Sequence, residues 1–228
     1  MKILAAALGA LAVLSGAARA EERLDVVELY QSQGCSSCPP TNANVIALAD
    51  RPDVLALSFA VTYWDYLGWK DTFAKPAFTQ RQRDYAGVLG SGSYTPEVVV
   101  NGRADLVGAN RAELERAIRR NARPPFEPAI TTSARTVTIA AAQTTAAGDV
   151  WLVWYDPRTV EVPIRRGENS GRTLPHRNVV HDIRRIGAWS GQAATFNVPA
   201  PPDPALRAAI LVQRRNGGPI IAAARLGG

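Results

Sequence analysis

The first half of the chain alternates between short apolar runs and longer amphipathic stretches. Three apolar runs predict buried strands, over residues 25–30, 53–61 and 97–100. Two of the stretches between them predict helices, over residues 41–50 and 73–89, and Asn110 predicts the N-cap of a last helix, RAELERAIRR. Asn101-Gly102 predicts a hairpin turn into a return strand. Strands that alternate with helices are typical of an α/β layer with parallel strands.

Beyond a proline-rich connector the pattern changes to a period of two. The connector has three prolines within residues 124–128, which cannot continue a helix. Seven short strands are predicted after it, within residues 135–142, 149–156, 159–164, 178–189, 193–199, 208–215 and 219–225. This spacing is typical of an antiparallel sandwich or barrel. We therefore predict an α/β domain over residues 21–123, an antiparallel, sandwich-like β domain over residues 124–228, and an α+β chain overall.

The N-terminus has the pattern of a secretory signal peptide. Lys2 is followed by an apolar run over residues 3–14, and Ala18-Arg19-Ala20 gives a small-x-small cleavage pattern. The run is too short to span a membrane, which needs about 20 apolar residues. We therefore predict residues 1–20 to be a signal peptide cleaved near Ala20, no membrane span in the mature chain, and export to the periplasm or the exterior.

Composition and charge add little to this picture. The chain is 46% hydrophobic and 20% charged, as in ordinary globular proteins. Its formal charge of +6 falls to +4 when Lys2 and Arg19 leave with the signal peptide. The basic residues are scattered and do not form a stripe interleaved with aromatics. Nucleic acid is therefore not an expected partner.

Cys35 and Cys38 are the only cysteines of the chain, and they lie three positions apart at the start of a predicted helix. Three uses fit this spacing: a redox pair, a metal clip and a structural staple. A disulfide that closes so short a loop stabilises weakly, and a zinc site usually needs four protein ligands. A helix N-terminus stabilises a thiolate. The pattern favours a redox pair in which Cys35 is the exposed nucleophile and Cys38 the shielded resolving thiol.

Several ordered motifs resemble those of the thioredoxin fold. They are VVELY, the Cys-x-x-Cys motif at a helix start, YTPEVVVNG and LVGANRAELERAI. Three further motifs, QGCSSCPP, YWDYLGWKD and RRGENSGRTLPHRNVV, resemble the exported thioredoxin-like family catalogued as domain of unknown function 1223. The resemblance to the thioredoxin fold implies such a fold for the first domain. The resemblance to the exported family covers nearly the whole mature chain.

The resemblance also implies roles for three residues. In thioredoxin-like proteins a cis-proline faces the cysteine pair and the preceding backbone pairs with an extended substrate, which implies these roles for Pro96 and Thr95. An acidic residue behind the second cysteine moves protons for the resolving thiol, and Glu28 lies near that place. Here the acid is one residue further from the first cysteine than in thioredoxin, and a solvent-facing Glu28 on an edge strand is the alternative.

Two further segments are open to two interpretations each. The arginine-rich segment over residues 165–182, which contains both histidines, either borders the cysteine site or forms a solvated basic hairpin. The aromatic residues after the second strand either rim a substrate groove or cover the sheet; they are Tyr63, Trp64, Tyr66 and Trp69.

The sequence thus favours an exported thiol–disulfide oxidoreductase that acts on a protein or a small thiol or disulfide and needs no cofactor. The first alternative is a binding protein, for example a periplasmic copper-handling module that uses the same two thiolates. The second is a protein whose partner binds the β domain while the cysteines have no function.

Overall fold

The first half folds as predicted into strands that alternate with helices. We describe a computed structural model of the chain over residues 23–123, 128–133, 135–142 and 147–226. Its first seven elements are β1 Asp25–Gln31, α1 Cys38–Leu48, β2 Val54–Ala60, α2 Pro76–Leu89, β3 Glu97–Val100, β4 Ala104–Leu106 and α3 Arg111–Arg120. A single 3₁₀ turn, Asp65–Leu67, lies between β2 and α2. The predicted signal peptide and residues 124–127 of the predicted connector lie outside the described residues.

Within the described residues, the second half contains strands and no helix. They are β5 Ile130–Thr132, β6 Thr136–Ile139, β7 Gly148–Asp156, β8 Val160–Pro163, β9 Thr173–His176, β10 Val179–Trp189, β11 Ala194–Asn197, β12 Arg207–Arg214 and β13 Ile220–Arg225. The sequence predicted seven of these nine strands and missed β5 and β9, which are short. No helix within the described residues is long and apolar enough to cross a membrane.

A large mixed sheet runs through both halves. It has eight strands in the order β13-β12-β7-β10-β2-β1-β3-β4. The pairs β1–β2 and β2–β10 are parallel and the other pairs are antiparallel. Two antiparallel sheets complete the fold: the three-stranded β11-β6-β5 and the two-stranded β8-β9. The fold is therefore mixed α/β with additional antiparallel sheets.

Each face of the large sheet has its own cover. On one face a core that includes Phe78 and Tyr85 of α2 extends from β1 and β2 to β7 and β12. On the other face α1 and α3 cover the first half, and the three-stranded sheet covers the second half. Because the strands are buried on both faces, they are nearly continuous apolar runs.

The two halves meet where β10 pairs with β2. Val179 lies opposite Ser58 in this parallel pair, and the Ser58 amide donates a hydrogen bond to the Asn178 carbonyl over 2.9 Å. The side-chain amide of Asn178 donates to the Ala56 carbonyl over 2.8 Å. The two predicted domains thus share one sheet, and their boundary at residues 123–124 stays a prediction.

Candidate functional site

The cysteine pair lies in the loop between β1 and α1. Cys35 and Cys38 are joined as a disulfide, with their Cα atoms 5.5 Å apart. Cys35 is 0% exposed and Cys38 2%, whereas the two serines between them are exposed. The Ser37 hydroxyl lies 3.3 Å from Cys35 Sγ. Because a disulfide sulfur carries no hydrogen, the hydroxyl is the donor of this bond.

Two prolines change the electrostatics at the start of α1. Pro39 and Pro40 follow Cys38 directly and carry no amide hydrogen. The Cys38 amide donates to the Cys35 carbonyl over 3.2 Å. The first turn therefore offers few of the free N–H groups that normally stabilise an anion at a helix start. Ser37, rather than the helix backbone, is the donor that the structure brings to Cys35 Sγ.

The segment over residues 65–73 holds the cysteine loop from one side. The Gln33 amide donates to Asp71 Oδ2 over 2.7 Å, and Trp69 Nε1 donates to Gln33 Oε1 over 2.9 Å. Gln33 Nε2 donates to Thr72 Oγ1 over 2.9 Å. Asp71 is buried, and burial raises its pKa to about 6. The segment over residues 65–73 therefore positions the residues immediately before Cys35.

The loop over residues 164–172, here called the cover loop, closes over the cysteines from the second half. Asn169 Nδ2 donates to the Gln33 carbonyl over 2.9 Å and to the Cys35 carbonyl over 2.8 Å. Glu168 accepts from the backbone amide and the hydroxyl of Ser36 over 3.0 and 2.8 Å. The interpretation in which residues 165–182 border the cysteine site is confirmed. The prediction that Cys35 is exposed is wrong for this disulfide form, because loop residues cover it.

The segment before β3 lies at the same end of the sheet as the cysteine loop. The Thr95–Pro96 peptide bond is cis, and Tyr30 at the end of β1 lies opposite Glu97. Trp64 Nε1 donates to Thr95 Oγ1 over 2.7 Å. A Cβ atom placed on Gly34 would lie 3.7 Å from Trp64 Cβ. Trp64 therefore bridges the cysteine loop and the Thr95–Pro96 segment.

The aromatic residues after β2 divide between the two interpretations. Trp64 and Trp69 bind residues of the site through their indole N–H groups, as described above. Tyr66 is 78% exposed, and the Tyr63 hydroxyl is buried close to Gln82 and Thr95. These four aromatic residues therefore neither all cover the sheet nor all rim a substrate groove.

Glu28 is buried, but its contacts lie away from α1. Val27 and Leu29 pack with the core under α1, so the alternation of a strand directs Glu28 to the opposite face. Its carboxylate accepts from Arg81 Nε over 2.8 Å and from the Tyr85 hydroxyl, both on α2. The alternative of a solvent-facing Glu28 is excluded, because the residue is 0% exposed.

His176 is a buried titratable residue in the segment that was predicted as a possible border of the site. It ends β9, and its Nδ1 lies 3.2 Å from Gln31 Nε2 at the end of β1. Its ring packs edge-on against Phe73, with centroids 5.8 Å apart. Nε2 is buried without a hydrogen-bond partner among the described residues. Burial lowers its pKa from 6.5 to about 4, so the ring is neutral at pH 7.

Acid should destabilise the protein through His176. The unfolded chain binds a proton at this residue near pH 6.5, but the folded chain binds it only near pH 4. Stability contributed by the neutral ring is therefore complete above pH 6.5 and lost as the pH falls toward 4, by roughly 3 kcal/mol at most. Urea unfolding at several pH values should show this loss in the wild type and a flatter profile in His176→Phe.

His181→Phe is the matched control for this experiment. His181 also packs near Phe73, with centroids 6.1 Å apart, but it is only partly buried. This variant should keep most of the pH dependence. An equally steep profile in His176→Phe would contradict the assignment.

The described residues hold no group of three or more histidine, cysteine, aspartate or glutamate side chains arranged to bind a metal ion. Asp71 is a site residue that the sequence did not single out, whereas Glu168, Asn169 and His176 lie in the segment over residues 165–182 that was predicted as a possible border of the site. The motifs YWDYLGWKD and RRGENSGRTLPHRNVV contain all four. The sequence motifs therefore contained these residues, but they did not show which atoms the residues contact.

Comparison with known proteins identifies a family and two similar structures. The model of a family described as "Protein of unknown function (DUF1223)" matches residues 26–213. The crystal structure of protein AGR_C_4864 from Agrobacterium tumefaciens is 30% identical, with a TM-score of 0.70, and the match covers 89% of this chain and 93% of that one. HBP35 of Porphyromonas gingivalis is 13% identical, with a TM-score of 0.60 and coverage of 90% and 74%. This second likeness concerns the fold alone. A search of curated proteins finds no significant match.

Proposed function

The chain belongs to the family described as "Protein of unknown function (DUF1223)", and we propose that it is an exported thiol–disulfide oxidoreductase whose first half is thioredoxin-like. One observation carries the proposal. The only two cysteines of the chain form a disulfide at the start of α1, at the same end of the sheet as the cis Thr95–Pro96 peptide. A disulfide also persists in the oxidising compartments that exported proteins reach.

Cys35 is the proposed nucleophile and Cys38 the resolving thiol. In the reduced protein the Cys35 thiolate attacks a substrate disulfide, forms a mixed disulfide and releases one substrate thiolate. Cys38 then loses its proton and attacks Cys35 Sγ, which releases the second substrate thiolate and restores the Cys35–Cys38 disulfide. Two electrons pass from the protein to the substrate, whose two sulfurs take up protons. Oxidation of a substrate dithiol follows the same steps in reverse.

The Ser37 hydroxyl is the proposed stabiliser of the Cys35 thiolate. It already donates to Cys35 Sγ over 3.3 Å in the disulfide form. A hydrogen bond to the charged form of a group favours that form. Since two prolines reduce the number of amide donors at the start of α1, this hydroxyl has more influence here than a side chain at a helix with a free first turn.

The backbone before Pro96 is the proposed binding edge for an extended substrate. Thr95 is held in place by Trp64, which keeps the edge close to the cysteine loop. The substrate is a protein or a small thiol or disulfide. Its sulfur reaches Cys35 when the contact of Glu168 with Ser36 opens, because that contact and Asn169 cover the pair.

The proton-relay role of Glu28 stays a prediction. Its carboxylate is bound by Arg81 and Tyr85 on the face of β1 opposite to α1. These contacts also favour a structural role for Glu28 in the network with α2.

Equilibration in glutathione buffers tests the proposed function. The wild-type pair should pass between disulfide and dithiol in a single two-electron transition, monitored by alkylation of free thiols and mass measurement. A pair that stays oxidised in every accessible buffer would contradict redox use and indicate a structural staple. A copper ion held firmly by the reduced protein, and lost in Cys35→Ser, would support the copper-handling alternative instead.

A further inference from the structure

Glu97 is a buried carboxyl group directly after the cis-proline. It is the first residue of β3 and is 0% exposed. Val99, two residues on, packs in the core beneath α2, so the alternation of the strand directs Glu97 toward α2 as well. There Gln82 Nε2 donates to Glu97 Oε2 over 2.6 Å.

The contact between Glu97 and Gln82 leaves two oxygens without a well-formed hydrogen bond, although the Tyr63 hydroxyl lies close to the Gln82 side chain. Glu97 Oε1 and Gln82 Oε1 are both buried and have no hydrogen-bond partner among the described residues. Two acceptors cannot bond to each other, and buried acceptors without partners are rare. A proton on Glu97 Oε1 removes the conflict, because a carboxylic acid and a primary amide can form two parallel hydrogen bonds.

The surroundings of Glu97 favour the neutral acid. Burial raises its pKa to about 7 against the hydrogen bond from Gln82, which lowers the pKa, and the negative charges of Asp105 on β4 and Glu28 on β1 add to the effect of burial. The positive charge of Arg81 on α2 is engaged by Glu28. The other titratable groups with an electrostatic effect in this region are the hydroxyls of Tyr30, Tyr63, Tyr85 and Tyr94 and the guanidinium of Arg83.

Gln82 connects this carboxyl group to the proposed substrate edge. The same Nε2 atom that donates to Glu97 donates to the Tyr94 carbonyl over 2.7 Å. Tyr94 precedes Thr95 and Pro96, and its hydroxyl donates to Asp105 Oδ2 over 2.6 Å. The Gln82 amide therefore helps to hold the backbone before the cis-proline, together with the contacts of Trp64 with Thr95 and of Tyr94 with Asp105.

We propose that Glu97 is a positioning residue of the site, whose neutral form fixes the Gln82 amide and, through it, the Tyr94–Pro96 segment for substrate binding. This inference rests on the proposed thiol–disulfide exchange. Loss of the Glu97 proton turns two acceptor oxygens toward each other, so the amide rotates and the bond to the Tyr94 carbonyl is lost. The substrate edge then loosens, while the cysteines keep their own contacts.

The KM for a synthetic peptide disulfide tests the inference between about pH 5.5 and about pH 8.5. In the wild type KM should rise about fivefold through pH 7, the size of one lost hydrogen bond. In Glu97→Gln the second amide reproduces the paired geometry at every pH, so KM should stay low and flat. In Gln82→Leu it should be high and flat. The value of kcat should follow thiolate formation at Cys35 in all three proteins.

Glu115→Gln is the matched control. Glu115 lies on α3 and forms a partly exposed ion pair with Arg51, so this variant should leave the KM profile unchanged. A wild-type KM that is constant with pH, or a Glu97→Gln profile like that of the wild type, would overturn the inference.

A second measurement separates this inference from the proposed function. The difference between the infrared spectra of the wild type and Glu97→Gln should contain the band of a neutral carboxylic acid that disappears near pH 7. Asp71, whose pKa burial raises to about 6, contributes equally to both proteins and cancels in this difference. Disappearance of the band below about pH 5, where ordinary carboxyl groups titrate, overturns the role of Glu97 even if exchange is normal. Exchange that fails in the wild type at every pH overturns the proposed function, while a band that titrates near pH 7 still supports the acid–amide pair.

Discussion

Replacement of Cys35 by Ser should lower the rate of disulfide exchange roughly a thousandfold or more, because a hydroxyl group cannot form or break the mixed disulfide. Cys38→Ser should behave differently. Cys35 can still attack the substrate, but no resolving thiol follows, so a mixed disulfide should accumulate on Cys35. Intact-mass measurement after incubation with the peptide disulfide detects this adduct.

The paired variants contain their own control. Each lacks one cysteine and cannot form the Cys35–Cys38 disulfide, so differences between them report roles and not the loss of the crosslink. The adduct should form in Cys38→Ser and be absent in Cys35→Ser. A stable adduct on Cys38 in the Cys35→Ser protein would contradict the assigned order of attack.

Replacement of Arg81 by Met should destabilise the fold by about 3–5 kcal/mol, because Glu28 would remain as a buried charge without its partner. The side chains of Arg81 and Glu28 are 8% and 0% exposed, and Arg81 Nε lies 2.8 Å from Glu28 Oε1. Arg81 also donates to Gln213 Oε1 on β12 over 3.0 Å. The network thus connects β1, α2 and β12. Urea unfolding at pH 7 measures the loss.

Two further variants identify the cause of that loss. Glu28→Leu combined with Arg81→Met removes both charges and should regain much of the stability, since a buried ion pair can often be replaced by apolar groups at little cost. Arg51→Met removes the partly exposed ion pairs with Asp53 and Glu115 and should cost about 1 kcal/mol or less. A loss in Arg81→Met no larger than in Arg51→Met would contradict the buried-charge explanation.

Local signals made the first half predictable. Helix α3 spans the predicted residues Arg111–Arg120, because Asn110 accepts a hydrogen bond from the amide of Glu113 as the N-cap pattern requires. Strand β3 spans the predicted residues, and Asn101 adopts the positive φ that its turn needs. At these positions short-range sequence and tertiary structure favour the same geometry.

Long-range pairing was not predictable in the same way. A period of two shows that a strand has a buried face, but it does not show which strand is its neighbour. The halves join through the pair Val179–Ser58, and nothing in either strand specifies the other. The seven predicted strands of the second half therefore divide among three sheets where the pattern indicated one antiparallel unit.

The reactive atoms of the candidate site were predicted, and its surroundings were predicted only as one of two alternatives or not at all. Motif order pointed to Cys35, Cys38 and Pro96. The segment around Asn169 is rich in glycine and polar residues, a composition equally compatible with a solvated hairpin and with a covering loop. Glu97 precedes three valines, and a charged residue at a strand start more often faces solvent. Only the three-dimensional position of Gln82, which donates to Glu97, shows that this carboxyl group faces the core.

The pairing of β10 with β2 also affects the order in which the chain can fold. β2 is an apolar strand buried on both faces, and its outer neighbour comes from residue 179, more than a hundred positions later. Until that residue arrives, one edge of β2 has unpaired backbone groups that can join a strand of another chain. The first half therefore exposes an aggregation-prone strand edge during synthesis until β10 pairs with it.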